Sequence, residues 1–279
     1  MSACSNTSSA DSPTSTATPA TTTTTVAATT TTVAATTTTA APSTTAAPTT
    51  VAPATTSTLA PNVQPVNWSA LPIIAVGKNN GPDTITIQNR LTELGFWNGL
   101  PDGQYGFATV QAVMAFQKYV GVRATGSVDA DTAQWLTFIA ERGHGTADSG
   151  TLVEVDKAKQ LLFIVVDGQT LWTFNTSTGS EQPYEAVNQK DPTKIEKGDS
   201  ITPNGLWEVN RERPDGWWEG DLGKIYRPKY FRGGVAIHGM TSIPNYPASH
   251  GCVRLSTMAM DFVWDSGLVP MGTPVWVHE

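Results

Sequence analysis

The strongest constraint on this chain is a long segment that cannot build a core. Before Lys78 the only charged side chain is Asp11, and residues 1–61 are almost entirely Thr, Ala, Ser, Pro and Val. Within them TTTTTVAATTTTVAATTTTAAP repeats with a period of seven. Such a period makes a coiled coil only if large apolar side chains recur, and here none do. β-Branched Thr also disfavours helix. The tract cannot bury enough apolar surface to offset the entropy of ordering, so residues 1–65 are expected to be disordered. Thr/Ser/Pro-rich tracts are typically extended stalks, often O-glycosylated. Sixty residues would reach roughly 200 Å stretched and roughly 40 Å as a flexible coil. The plainer reading is a low-complexity tail without a role.

The start, Met1-Ser2-Ala3-Cys4, sets small residues before a cysteine, as at the end of a bacterial lipoprotein signal. The basic and apolar regions of such a signal are absent. A lipid on Cys4 would make the tract a stalk from a membrane; otherwise Cys4 is incidental. Beyond the tract the composition is ordinary, with room for one or two domains. A net charge of −7 argues against binding nucleic acid through phosphates. No run of about 18 apolar residues exists to cross a membrane. Two cysteines, Cys4 and Cys252, cannot form a disulfide framework or a Cys-rich zinc module.

Residues 83–140 read as three short helices. Ile87, Leu91 and Leu94 share one face, with Gly95 as the stop. Thr109, Ala112, Val113, Phe116 and Val120 form a second face, stopped by Gly121. A third, with Leu136, Ile139 and Ala140, follows Asp129 or Asp131 as N-cap and is expected to end at Gly143. The stretch from Ile87 to Leu136 contains LG-F-x-x-G, DG-x-Y-G, T-x-x-AV-x-x-FQ and TG-x-V-D-x-x-T in order. It resembles the three-helix peptidoglycan-binding domain of bacterial wall enzymes, which implies a wall-binding module. Residues such as Leu91, Phe116 and Gln117 are expected only to hold that fold.

Residues 144–150 read as a polar linker. From Thr151 the period shortens to two, with strand candidates at 152–156, 161–166, 171–174, 205–209, 234–238 and 274–278. Asp167-Gly168 between apolar runs signals a hairpin. One helix is expected near 256–266, capped by Ser256. This half reads as a mostly antiparallel β domain, with 181–200 as a polar loop over the site.

Its chemistry is concentrated in Ile237-His238-Gly239 and Ser249-His250-Gly251-Cys252-Val253-Arg254-Leu255. A thiol becomes a good nucleophile as thiolate, and a nearby His can take its proton. Gly251 lets backbone approach a substrate, and N–H groups at Gly251 and Cys252 could form an oxyanion hole. Three readings compete from the residues alone: Cys/His acyl transfer, a zinc site of His238, His250 and Cys252, and a buried inert thiol with satisfied core histidines.

The complete pattern resembles the L,D-transpeptidase signature: a His, a variable loop, then [ST]-His-Gly-Cys, an apolar residue and Arg or Asn. Gln160-Leu161, Asp167-Gly168, Ser177-Thr178-Gly179, Thr202-Pro203-Asn204-Gly205 and Gly272-Thr273-Pro274-Val275-Trp276-Val277 extend the likeness across 151–279. The resemblance implies that Cys252 is the nucleophile, His238 the base, and the Gly239 carbonyl the group that orients it. His250 would support the site and Ser249 brace the loop. Arg254 would pair with a substrate carboxylate or hold the loop. Tyr226, Tyr230 and Phe231 would wall the donor groove or serve as core.

The expected architecture is multidomain: a disordered Thr/Ala/Pro-rich stalk (1–65), an all-α three-helix domain (80–143) and a mostly-β L,D-transpeptidase-type domain (150–279). The expected activity is 3→3 cross-linking of peptidoglycan through a thioester, without metal or organic cofactor. The expected partners are donor and acceptor stem peptides. Nucleic acid is not expected, and a membrane only through a lipid on Cys4. The expected location is extracytoplasmic, at the cell wall. An L,D-carboxypeptidase, a non-catalytic wall-binding scaffold and a zinc hydrolase are the rivals.

Overall fold

The computed structural model describes residues 60–279. Cys4 and most of the predicted stalk lie outside the described residues. The last part of the predicted stalk is packed chain. Asn62 is buried and donates to the Gly145 carbonyl at 2.9 Å, and Pro65 bridges Glu141.

Three helices follow: α1 (Pro82–Glu93), α2 (Phe107–Tyr119) and α3 (Ala130–Phe138). Gly95, at φ +82°, supplies the left-handed residue that ends α1. Asp129 caps α3 by accepting the Thr132 N–H at 2.9 Å. The third helix stops at Phe138, short of the predicted Gly143. Its last carbonyls are taken by neighbours instead of by another turn. The buried Arg90 guanidinium donates to Leu136 O and Ile139 O at 2.9 and 2.8 Å. The backbone N–H groups of Ser69 and Val66 donate to Thr137 O and Ala140 O. Leu91 and Phe116 are fully buried. Gln117 accepts from Thr125 and Gly126 and donates to Ser127 O, so it ties a turn, as expected of a fold-holding residue.

The remainder is mostly β. Its strands are β1 (Leu152–Asp156), β2 (Leu161–Val166), β3 (Gln169–Asn175), β4 (Pro183–Val187), β5 (Ile195–Asp199), β6 (Gly205–Glu208), β7 (Arg211–Glu212), β8 (Trp217–Gly220), β9 (Gly223–Arg232), β10 (Val235–Met240), β11 (Val253–Ser256) and β12 (Pro274–His278). Helix α4 (Thr257–Asp265) is capped by Ser256, as predicted. One sheet has the order β3-β2-β1-β12-β6, a second has β11-β10-β9-β7 with β8 paired to β9, and β4 pairs with β5 as a third. Pairing is antiparallel except for β1 with β12 and β10 with β11. Asp167 and Gly168, at φ +50° and +77°, form the predicted tight turn. The predicted loop at 181–200 is instead the β4–β5 hairpin. Neither face of its strands is buried, so no apolar alternation marks them.

Strand β2 joins the two halves. Leu161, Phe163 and Val165 belong to a core that includes Leu91, Phe96 and Phe116 from the helical half. Leu162 and Ile164 point the other way, into a core built from β1, β10, β11, β12 and α4. Burial on both faces explains why this strand reads as an unbroken apolar run. Trp97 adds an aromatic joint, with its ring 5.9 Å from Phe174 and 5.4 Å from Phe262. Lys118 Nζ donates across the same seam to Gln160 O and Thr176 O, each at 3.1 Å.

The predicted linker at 144–150 is also bound. Thr146 N–H and Ala147 N–H donate to the fully buried Glu154 carboxylate at 2.7 and 2.9 Å. The segment expected as a free linker is therefore tied down by its own backbone N–H groups.

Because Phe163 is fully buried between the halves, Phe163→Ala should cost about 3–5 kcal/mol in urea unfolding. The helical and β regions should melt in one transition by calorimetry. A separate helical transition would contradict the shared core.

Candidate active site

Strands β10 and β11 run parallel, with His238 opposite Arg254. In this register Cys252, just ahead of β11, falls level with Ala236. Alternation then divides the side chains. Ile237, Val253 and Leu255 enter the core, whereas His238, Cys252 and Arg254 line one pocket. The predicted nucleophile and base are thus brought to a common cavity by neighbouring strands.

His238 is 2% exposed. Its Nδ1 lies 3.0 Å from the Gly239 carbonyl oxygen. A carbonyl can only accept, so this contact puts the proton on Nδ1 and leaves Nε2 free to act as a base. Burial pushes the imidazole down to about 4. The Gly239 hydrogen bond opposes that shift, and the Arg254 charge adds to it. Cys252 is half-buried, and its sulfur contacts the Gly234 carbonyl at 3.8 Å. Burial pushes its thiol up, while the Ala236 backbone and Arg254 draw it back. Both shifts favour the uncharged forms of the thiol and the imidazole.

The cysteine loop is braced from several sides. Ser249 Oγ donates to Cys252 O at 2.5 Å and accepts the Gly251 N–H at 3.0 Å. That N–H is thus engaged, unlike the free oxyanion donor anticipated. Thr202 Oγ1 donates to Gly251 O at 2.7 Å and accepts the Gly179 N–H at 2.8 Å. Ser249 N–H and Arg254 N–H donate to Thr178 O and Ser177 O, and Gln160 holds Thr178 through both its amide atoms. Gly251 has φ +128°, and a Cβ there would approach Ile201 O to 2.8 Å. Packing against this backbone is by itself enough to require glycine here.

Other predicted residues separate. Tyr230 lines the pocket. Tyr226 packs on Gly239 and donates to Asp261 at 2.9 Å, and Phe231 is core. His250 is exposed at the pocket, with its ring 4.8 Å from that of Tyr184 on β4. Arg254 Nε is buried without a hydrogen-bond partner. Tyr184, Lys190, Arg211, Arg213, Trp218 and Met240 also line the pocket and escaped the sequence reading. Tyr184, Arg211 and Trp218 lie on short strands without apolar alternation, Lys190 and Arg213 lie outside the strands, and Met240 ends β10 beyond its predicted span. Among the described residues no group of three His, Cys, Asp or Glu side chains is placed to hold a metal.

Residues 150–277 match the family model of the L,D-transpeptidase catalytic domain, and residues 80–136 match that of a peptidoglycan binding domain. The solved L,D-transpeptidase of Xylanimonas cellulosilytica is 42% identical, with the match covering 72% of this chain and 96% of that one at a TM-score of 0.65. This chain belongs to the L,D-transpeptidases. Two curated relatives match shorter stretches of this transpeptidase. An N-acetylmuramoyl-L-alanine amidase of Mycobacterium tuberculosis is 40% identical over 65 residues, 23% of this chain and 16% of the amidase. A spore cortex-lytic enzyme of Bacillus cereus is 36% identical over 72 residues, 26% of this chain and 28% of that enzyme. The chain thus matches well under a third of either curated relative's length. The two family matches point to peptidoglycan and an extracytoplasmic setting. No described helix of the transpeptidase is long and apolar enough to cross a membrane.

The buried neutral His238 has a measurable consequence. In the unfolded chain it protonates near 6.5, whereas in the fold it resists protonation until about 4. The unfolded state therefore binds the extra proton first. Stability present above pH 6.5 should fall as pH drops toward 4, by about 3 kcal/mol from this residue. Urea titrations at pH 7 and 4.5 should show a smaller loss in His238→Gln than in the native protein. Equal losses would contradict the burial argument.

Proposed function

We propose that this protein forms 3→3 peptidoglycan cross-links by cysteine acyl transfer. The observation that carries the reading is the pocket shared by Cys252 and a His238 whose Nδ1 is committed to Gly239 O. Cys252 Sγ attacks the carbonyl joining the third residue of a stem tetrapeptide to its terminal D-alanine, and His238 Nε2 takes the thiol proton. The resting thiol needs no prior ionisation, because its proton leaves as the sulfur–carbon bond forms.

The tetrahedral intermediate collapses as the carbon–nitrogen bond breaks. His238 returns its proton to the departing D-alanine amine, leaving a thioester on Cys252. The side-chain amine of a second stem peptide, at its meso-diaminopimelate or equivalent residue, then attacks. His238 takes the amine proton and gives it to sulfur as the thioester breaks. One amide replaces another, so no external energy source is needed. The Cys252 N–H is the candidate oxyanion donor, since Gly251 is held by Ser249. Arg254 sits opposite His238 on the adjacent strand, where its charge favours developing thiolate. Its guanidinium lines the pocket, where it could also meet a substrate carboxylate. Ser249 positions the loop, and His250 with Tyr184 borders the entrance.

The helical domain would hold the enzyme against its polymeric substrate, with residues 1–59 as a stalk. A lipid on Cys4 would anchor that stalk.

Incubation with purified muropeptides and mass spectrometry tests this reading. Cross-linked dimer is the expected product; trimmed tripeptide alone would mean an L,D-carboxypeptidase. Cys252→Ala should reduce turnover to background and lose labelling by a thiol reagent. His238→Gln should slow acylation by about 10²–10⁴-fold. Full activity in Cys252→Ala would end the nucleophile assignment.

A further inference from the structure

The chain is acidic, with 24 Asp+Glu against 17 Lys+Arg, but its catalytic pocket is basic. Lys190, Arg211, Arg213, Lys224 and Arg254 line it, against Asp221 as the acid. That acid is already paired with Lys190 at 3.1 Å. Nearby ion pairs go elsewhere: Lys229 meets Glu212 at 2.8 Å and Arg227 meets Asp261 at 2.7 Å. Among the described residues no carboxylate forms an ion pair with Arg211, Arg213 or Lys224.

The two arginines are placed by strand alternation. Arg211 and Arg213 flank Glu212 and share its opposite face. Glu212 turns to Lys229, which is 3% exposed, while the arginines face the pocket. Each guanidinium rests on an aromatic ring. Arg211 lies 3.9 Å above the centroid of Tyr230 and donates to Gly233 O at 3.0 Å. Arg213 lies 4.4 Å above Trp218. Stacking fixes the plane of a guanidinium while leaving edge N–H donors free, the geometry suited to a carboxylate. Tyr230 pairs with Ala236 on the strand that carries His238, so this shelf adjoins the reacting thiol.

We infer that Arg211 and Arg213, with Lys224, form a carboxylate-reading subsite for the acyl portion of the donor peptide. The subsite selects stems with free carboxylates over stems in which those groups are carboxamides. It rests on the acyl-transfer reading above for the position of the donor. Arg254 alone can match the single terminal carboxylate of the leaving D-alanine. The additional cations need further carboxylates, which the acyl portion supplies.

The test compares L-alanyl-γ-D-glutamyl-meso-diaminopimelyl-D-alanine with the same tetrapeptide bearing carboxamides on its second and third residues. Native protein should favour the free acid by about tenfold or more in kcat/KM, the value of one charge-assisted hydrogen bond. The exposed double variant Arg211→Gln/Arg213→Gln should bring the two donors within about twofold. Equal use by the native protein, or an undiminished preference in the variant, would overturn the subsite. Calorimetric titration of both peptides into Cys252→Ala separates this question from turnover. If neither donor reacts, the acyl-transfer reading fails, but tenfold tighter binding of the free acid still supports the subsite. Equal binding overturns it.

Discussion

The two faces of β2 are the constraint on which the rest depends. A strand of six apolar residues cannot leave either face in water, and here each face has its own partner. Leu161, Phe163 and Val165 close the helical core, while Leu162 and Ile164 close the core of the β half. Each buried side chain of this size is worth about 1.5–3 kcal/mol, so separating the halves would expose a substantial part of the stabilising surface. The bound segment at 144–150 and the Lys118 contacts follow from that union. The peptidoglycan-binding match and the transpeptidase match are two sequence families, but the first of the two cores draws side chains from both.

The second organising element is the hydrogen-bonded cradle around Cys252. Gln160, Thr178 and Thr202 have no reactive role in the proposed chemistry, yet they hold the backbone on which the thiol sits. Their positions explain why residues far apart in sequence belong to one signature. The parallel β10–β11 register does the remaining work, setting His238 and Arg254 side by side and Cys252 at the strand's entrance. Desolvation at this site favours the uncharged forms of both the imidazole and the half-buried thiol.

Much of this was legible in the residues. The three helices, β1, β2, β12, the Asp167-Gly168 turn and the Ser256 cap all carry strong local signals, and the structure bears them out. The His238 to Gly239 contact also matches expectation. The misses have physical causes. The end of α3 is set by Arg90 and the chain at 66–69, which no local pattern reveals. The β4–β5 hairpin buries neither face, so no apolar alternation distinguishes it from a loop. The residues leave the Gly251 N–H open as an oxyanion donor because sequence cannot show that Ser249 Oγ accepts it. Tyr226 and Tyr230 occupy one strand, but only the structure tells which faces the pocket.

The packed segment ahead of α1 has a mechanical consequence. Gln169 donates to Pro61 O at 2.6 Å, Asn62 donates to Gly145 O, and Arg142 N–H donates to Gln64 O. Chain entering at Pro61 is therefore fastened first to the seam between the two halves. A pull from the N-terminal side would load both cores together, instead of peeling α1 from a free end. Tension along a tether would be transmitted to the molecule as a whole, leaving the spacing between the helical domain and Cys252 unchanged.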